Sequence, residues 1–165
     1  MIIIVMGVAG SGKTTVGRLL AESTGFQFLD GDTLHSPANL AKMSAGLPLT
    51  DSDRAPWLSA VRGRIVDTAT HQQNLVVACS ALKEAYRALL AAGVPVTWIY
   101  LKGRPDVVRA RLQRRTGHFM KAELSSSQFE ALEEPTNAIV VDASQPPEAI
   151  VEEIVAQLRK GYFIL

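Results

Sequence analysis

The sequence predicts an α/β fold in which one parallel sheet is covered by helices on both faces. Two observations lead to this prediction. Five short runs that are apolar throughout recur along the chain, and stretches with helical periodicity separate them. Strands of this kind that alternate with helices are typical of a parallel sheet between two helical layers. We therefore expect a three-layer α/β/α domain with five parallel strands.

The order of the elements follows from the same pattern. Pro105 and Pro147 stand at the starts of two helices, where the missing N–H of proline is not needed. Gly25 suits the end of the first helix. The strands are expected at 2–6, 26–29, 75–79, 96–101 and 139–141, and the helices at 14–23, about 55–70, 83–92, 105–115 and 147–159.

Two polar stretches, 31–54 and 114–135, do not fit this alternation of strands and helices. Both contain glycine, histidine and basic residues. Long insertions in a compact domain are often functional lids or substrate pockets. We therefore expect these stretches to carry function.

Composition and charge limit the classes of protein to which this chain can belong. A chain of 165 residues without internal repeats or a linker fits a single domain, 1–165. The net charge of +1 argues against a dedicated nucleic-acid binder, which usually carries a strong basic excess. No apolar run approaches the roughly 18 residues of a membrane span, and the apolar start lacks the basic region of a secretion signal. The single cysteine, Cys79, excludes an internal disulfide and suits the cytoplasm, where we expect the protein.

Residues 7–14 carry the pattern of a phosphate-binding loop, G-x-x-x-x-G-K-[ST]. Its glycines let backbone N–H groups turn toward phosphate oxygens, and the following helix points its positive end at the same place. Lys13 can reach the outer phosphates, and the hydroxyl of Thr14 can bind Mg²⁺. Chance is the alternative, but the pattern follows a predicted strand and opens a predicted helix. The expected nucleotide contacts are Gly7, Ala9, Gly10, Ser11, Gly12, Lys13, Thr14 and Thr15.

Two carboxylates follow the second predicted strand, in the run Asp30-Gly31-Asp32. Ligands gather at the carboxyl edge of an open parallel sheet, beside the phosphate-binding loop. Asp30 could hold a water on Mg²⁺, and Asp32 could accept the proton of a substrate hydroxyl. A simple turn is the alternative, since Asp and Gly favour turns.

The third predicted strand leads into Ser80 rather than into the acidic residue that motors and switch GTPases usually place there. The phosphate-binding loop by itself leaves kinases, switches and motors open. The absence of that acidic residue favours a small-molecule kinase, in which Asp30 and Asp32 take the acidic roles.

Several blocks of residues stand out beyond the phosphate-binding loop, at 30–35, Asn39, 42–43, 46–54 and 56–58, then 79–83 with 86–87, 117–120, 127–129 and 132–133. Together they resemble the gluconokinase family of P-loop sugar-acid kinases. They agree with it in order and spacing from 4 to 142. The chain departs from the family pattern at Ala9, Thr14, Ser36 and Ser125, and none of these changes removes a chemical group.

The sequence resembles shikimate kinase and adenylate kinase more distantly. That wider resemblance implies a five-stranded parallel sheet, a substrate-binding helical region at about 31–70 and a mobile lid at about 114–135. The family resemblance implies transfer of the γ-phosphate of ATP to D-gluconate with the help of Mg²⁺, which gives 6-phospho-D-gluconate and ADP. It also implies a possible homodimer.

The resemblance also implies a set of contacts to gluconate. Arg54 would bind the carboxylate, because its planar fork reaches two oxygens at once. Asp32 would contact the reacting hydroxyl, and Trp57 would form a wall of the pocket. The other expected substrate contacts are His35, Asp53, Ser80 and Gln128 for hydroxyls, and Lys42, Lys83, Arg87 and His118 for positive potential or hydrogen bonds.

Two arginines of the expected lid complete the set of predicted catalytic and nucleotide-binding residues. The spacing of Arg111 and Arg115 resembles the adenylate-kinase lid, whose arginines embrace nucleotide and the transferring phosphoryl group. We expect Lys13, Asp32 and Arg115 to be the catalytic residues, with Arg111 and Arg115 as nucleotide contacts. In similar kinases the loop at 142–146 borders the adenine.

Plainer interpretations remain open for several of these residues. Asp53 and Arg54 could only cap the helix near residue 55. Lys83 and Arg87 are four residues apart and could form a solvated helix face. The lid arginines could complement a helix dipole. At the level of function, the alternatives are a kinase for another small hydroxy acid such as shikimate, or a nucleotide-binding switch or RNA-binding module.

Overall fold

The computed structural model describes residues 1–114 and 124–161, except for the side chains of 124 and 125. Within these ranges, five strands alternate with seven helices. Gly31–Leu34 forms a short 3₁₀ turn after the second strand. The elements are β1 (Ile2–Met6), α1 (Lys13–Thr24), β2 (Gln27–Asp30), α2 (Pro37–Ser44), α3 (Asp51–Thr70), β3 (Leu75–Ala78), α4 (Glu84–Ala91), β4 (Val96–Lys102), α5 (Pro105–Arg114), α6 (Leu124–Ala131), β5 (Ile139–Asp142) and α7 (Pro147–Lys160).

The strands form one parallel sheet in the order β2-β3-β1-β4-β5. The central strand β1 pairs with β3 and β4, so that Ile2 lies opposite both Leu75 and Val96. Because all strands run the same way, the segments after β1, β2 and β3 meet at one edge of the sheet. The phosphate-binding loop leaves β1 at the point where the strand order reverses, which is where open α/β sheets bind ligands.

Side chains that alternate along β1 enter two separate cores. Ile4 and Met6 face α3 and α4 and pack with buried residues such as Ile65. Ile3 and Val5 face α1 and α7 in a cluster with Leu20 and Ile154. Burying each large aliphatic side chain contributes about 1.5–3 kcal/mol. The predicted three-layer fold with a five-stranded parallel sheet is therefore confirmed.

The prediction was wrong about the start of α3, which begins at Asp51 and not near residue 55. Thr50 caps the helix, since its hydroxyl accepts from the N–H of Asp53 at 3.2 Å. The Asp53 carboxylate accepts from the N–H of Thr50 at 2.9 Å in return. This capping box satisfies two N–H groups that have no partner within the helix. Pro56 lies inside the helix.

The two stretches that did not fit the predicted alternation each contain a helix. Helix α2 begins after Ser36, whose hydroxyl accepts from the N–H of Asn39 at 3.2 Å. Pro37 stands in its first turn. Helix α6 lies in the second stretch. These helices are short, at 8 residues each, so few periodic positions were available to predict them.

Gly31 allows the end of β2 to approach β3 closely, and replacing it should destabilise the fold. A Cβ there would lie 2.8 Å from the carbonyl oxygen of Ala78. We expect Gly31→Ala to lower the free energy of unfolding by about 1–3 kcal/mol, measured by chemical denaturation.

Gly63 provides the matched control, because it is exposed within α3 and a Cβ there would meet nothing within 4 Å. Gly63→Ala should raise the free energy of unfolding by about 0.5–1 kcal/mol, since alanine favours helices. Equal stability of Gly31→Ala and the parent would contradict the close approach of β2 and β3.

Candidate active site

A cleft opens at the carboxyl edge of the sheet. Its walls come from the phosphate-binding loop, the 3₁₀ turn, the segment between α2 and α3, α3 itself, the segment after β3, and α6. Predicted nucleotide and substrate residues therefore share one cavity. Those that line it are Ala9, Gly10, Gly12, Lys13, Thr14, Asp32, His35, Arg54, Trp57, Ser80 and Gln128.

The loop between β1 and α1 has the backbone of a phosphate cradle. Gly7, Gly10 and Gly12 have φ angles of 143°, 82° and 100°, which residues other than glycine rarely adopt. Among the described residues, no side chain caps the N-terminus of α1, and its first turn holds no acidic residue. The positive end of α1 therefore faces the cradle, and no carboxylate from its own first turn competes there. The Lys13 ammonium crosses the loop and donates to the carbonyl of Val8 at 3.0 Å.

Asp30 joins the phosphate cradle to the turn that follows β2. One carboxylate oxygen accepts from the hydroxyl of Thr14 at 3.0 Å, and the other accepts from the N–H of Asp32 at 3.1 Å. The run Asp30-Gly31-Asp32 is thus a turn, as the plainer interpretation held. The same turn brings Thr14 and Asp30, the two predicted metal-binding residues, into contact.

Trp57 holds this turn against α3. Its buried indole N–H donates to the carbonyl of Gly31 at 2.7 Å. The ring of His35 stacks on the indole, with centroids 4.3 Å apart and an interplanar angle of 12°. One aromatic side chain therefore holds both His35 and Gly31, the residue next to Asp32.

The ring of His35 is kept neutral by its surroundings. Burial, and then the nearby positive charge of Arg54, lower its pKa from 6.5 to about 4. A neutral imidazole donates from one nitrogen and accepts at the other. His35 can therefore offer a hydrogen bond to a ligand without adding positive charge to the cleft.

Arg54 brings a positive charge to the wall of the cleft that α3 forms. Its guanidinium lies 3.5 Å from the Tyr86 hydroxyl, 3.9 Å from the Asp51 carboxylate and 5.9 Å from the centroid of the Tyr86 ring. Asp51 also accepts from the hydroxyl of Tyr86 and from Lys83 at 2.9 Å, and these bonds lower its pKa. This network restricts the arginine head before any ligand arrives.

Four predicted substrate residues do not line the cleft. Lys42 pairs with Asp53 at 2.7 Å, and this pair, with the bonds to Thr50, lowers the pKa of Asp53 to about 2. Lys83 pairs with Asp51, as described above. Asp53 belongs to the capping box of α3, in line with the plainer interpretation. The substrate contacts of these residues stay predictions.

Arg87, the fourth, is buried, with 4% of its surface exposed. It donates to the carbonyls of Ala81 and Leu82 at 3.0 and 3.1 Å and pairs with Glu84 at 2.7 Å. The alternative of a solvated face is therefore wrong for Arg87. Its contacts support the segment that carries Ser80 into the cleft.

Helix α6 reaches the phosphate cradle through Gln128. The side-chain carbonyl of Gln128 accepts from the N–H of Ala9 at 2.7 Å. Phe129 from the same helix packs near Val8 and Leu82. The predicted lid therefore contacts the loop that would hold the phosphates. Arg115 and His118 lie outside the described residues.

A second hollow lies on the other side of the phosphate-binding loop. Arg111, Ser11 and Thr15 line it together with Ala143 and Gln145, which belong to the loop after β5. This is the loop that borders the adenine in similar kinases. Arg111 is thus placed beside the predicted nucleotide site.

Sequence reasoning missed several residues of the cleft. Met43 and Leu49 form a small apolar cluster with Leu40 beside it. The family blocks contained all of these positions, but the five apolar side chains among them offered no chemical role that would single them out. The missed lining residues are Met43, Leu47, Pro48, Leu49, Leu82 and Ser127.

The fold and the site define a P-loop kinase that acts on a hydroxyl group. The sequence model of the shikimate kinase family matches residues 9–159. The thermoresistant gluconokinase of Escherichia coli K12 is 43% identical to this chain over 165 residues, which cover 97% of this chain and 94% of that protein. This chain belongs to the gluconokinase family.

Solved structures agree with this assignment. A gluconokinase from Sinorhizobium meliloti 1021 is 44% identical, with a TM-score of 0.83 over 96% of this chain and 91% of that chain. A sugar kinase from Janibacter sp. HTCC2649 is 42% identical, with a TM-score of 0.89 over 96% of this chain and 94% of that chain. The resemblance inferred from the residue blocks is therefore confirmed.

The neutral state of His35 predicts that protein stability depends on pH. Between pH 6.5 and about 4 the unfolded chain binds a proton that the folded chain does not, so stability falls as the pH falls through this window. His35→Gln removes this linkage. We expect the thermal midpoint of the parent to fall more steeply than that of His35→Gln over this window.

His71→Gln is the control for that measurement, because His71 is exposed at the end of α3. It should keep the steep dependence of the parent. Parallel pH profiles for the parent and His35→Gln would show that His35 has the same pKa in the folded and the unfolded chain. That result would contradict a His35 ring that folding keeps neutral.

Proposed function

We propose that this protein is a gluconokinase, which transfers the γ-phosphate of ATP to D-gluconate and gives 6-phospho-D-gluconate and ADP. One observation carries the proposal beyond the family. A single cleft places the phosphate cradle beside Asp32, with a fixed arginine and a neutral histidine on the acceptor side. This arrangement suits an acceptor that has one carboxylate and several hydroxyls.

The residues present fit a nucleotide with Mg²⁺. Ser11 is buried, and its hydroxyl has no hydrogen-bond partner among the described residues, so a phosphate oxygen would satisfy it. Thr14 and Asp30 are the protein oxygens that would hold Mg²⁺, which prefers oxygen and usually binds one or two protein groups beside phosphates and water. Bound Mg²⁺ would neutralise charge on the phosphates.

On the acceptor side, Arg54 binds the carboxylate of gluconate through two oxygens. His35, Ser80 and Gln128 bind hydroxyls, and the indole of Trp57 forms the wall behind them. Asp32 orients the terminal hydroxyl and accepts its proton as the phosphoryl group is transferred. Holding the reacting groups in line supplies roughly 7–11 kcal/mol of the barrier reduction.

Lys13 and Arg115 stabilise the charge on the moving phosphoryl group, and Arg111 assists at the nucleotide. Closure of the lid over the cleft excludes water, which would otherwise hydrolyse ATP. The contact between Gln128 and Ala9 supports this role, because it already links α6 to the cradle.

Other properties stay predictions. These are the single domain 1–165 with its substrate-binding region at about 31–70 and its lid at about 114–135, the homodimer and the cytoplasmic location. Among the described residues, no helix has the length and apolar character needed to cross a membrane.

A panel of acceptors tests the proposed function. ADP release with Mg-ATP should be fast with D-gluconate and at least tenfold slower, by kcat/KM, with other sugar acids, shikimate and nucleoside monophosphates; this margin corresponds to about 1.4 kcal/mol of discrimination. Turnover of shikimate in place of gluconate would support kinase activity but would contradict the proposed gluconate site. A salt-dependent shift of RNA with no small-molecule turnover would favour the nucleic-acid alternative.

Replacing the proposed base should remove most of the activity. Asp32→Asn keeps the size of the side chain but cannot accept the proton, so kcat should fall by about 10²–10⁴-fold while the KM for ATP changes little. Asp67→Asn is the matched control, since Asp67 is exposed near the far end of α3. A loss of less than about tenfold in a folded Asp32→Asn protein would exclude Asp32 as the base.

A further inference from the structure

Asn39 is one of four buried polar or charged side chains in the part of the chain that the structure describes. It lies in the first turn of α2, with 5% of its surface exposed, and it does not line the cleft. Its amide instead joins His35 to α3. A buried polar side chain with two such partners is held in one orientation.

The orientation of the Asn39 amide follows from its partner on α3. Its side-chain nitrogen donates to the carbonyl of Asp53 at 2.8 Å. The reversed amide would place two acceptor oxygens against each other at this distance, because a backbone carbonyl only accepts. The amide nitrogen must therefore face Asp53.

The same nitrogen lies 3.4 Å from Nδ1 of His35. Both hydrogens of an amide NH₂ group are donors, so Nδ1 of His35 must be the acceptor. An accepting Nδ1 carries no proton. In the neutral ring the proton then resides on Nε2, which becomes a donor only.

Two further contacts limit the ring to this state. Stacking on Trp57 fixes the plane of the imidazole but does not distinguish its two edges. The bond from Asn39 makes that distinction, because a ring turned over would present a carbon to the amide. The positive charge of Arg54 disfavours a second proton, and the ring lines the cleft.

We propose that Asn39 is a positioning residue that fixes His35 as the Nε2–H tautomer, so that His35 donates a hydrogen bond to an oxygen of the sugar acid. The substrate in this statement rests on the proposed function. The tautomer is a property of the free protein.

The tautomer is tested first, by ¹⁵N–¹H correlation spectra of the full chain labelled in histidine, without ligand. The chain has three histidines, and the His35 signals are those that His35→Gln removes. We expect a protonated Nε2 and an unprotonated Nδ1 in the parent. A protonated Nδ1 would overturn the proposal, and this result needs no variant of Asn39 that folds.

Asn39→Asp then tests the consequence for binding. A carboxylate beside Nδ1 only accepts, so it should move the proton to Nδ1 and remove the donor from the cleft. We expect the KM for gluconate to rise about tenfold, as for one lost hydrogen bond, with the KM for ATP unchanged within about twofold.

A double-mutant cycle separates this role from a merely structural one. In His35→Gln the amide can donate in place of Nε2, and it has no tautomer to set. Asn39→Asp should then change the KM for gluconate by less than about twofold in that background. An equal change in both backgrounds would show that Asn39 only supports the fold. A parent without gluconate turnover would overturn the substrate assigned to His35, whereas the spectra would still decide the tautomer.

Discussion

The carboxylate of Asp30 is the contact on which the arrangement of the cleft depends. It binds the Thr14 hydroxyl at the start of α1 and the N–H of Asp32 at the start of the 3₁₀ turn, at 3.0 and 3.1 Å. The donor half of the site and the proposed base are thereby tied to one side chain. Parallel strands make this possible, because β1 and β2 both deliver their following segments to the same edge of the sheet.

The wall of the cleft around Trp57 and His35 is built from buried contacts rather than from surface charge. Trp57 binds the carbonyl of Gly31 and stacks on His35, and Asn39 joins His35 to α3. Side chains whose positions are set by packing lose little entropy when a ligand binds. The ion pair of Lys42 with Asp53 lies outside the cleft and joins the end of α2 to the start of α3.

Some parts of the site could be predicted because the chemistry is local. The glycines of the phosphate-binding loop, Lys13 and Thr14 are adjacent in sequence, so one motif implies their geometry. The partners that the predicted cations have within the chain could not be predicted. Lys42, Lys83 and Arg87 have the charge that a sugar acid requires, but each meets an oxygen partner from a distant or buried segment. Charge alone does not tell a cation that faces a ligand from one that holds two helices together.

The sequence by itself determined the layered fold, the phosphate cradle and the family, because apolar periodicity and contiguous motifs are properties of neighbouring residues. Only the tertiary structure decided which polar side chains share the cleft. It also decided that His35 is neutral and which of its nitrogens meets Asn39. Burial and hydrogen-bond direction depend on residues brought together by packing, and the order of amino acids along the chain does not contain those distances.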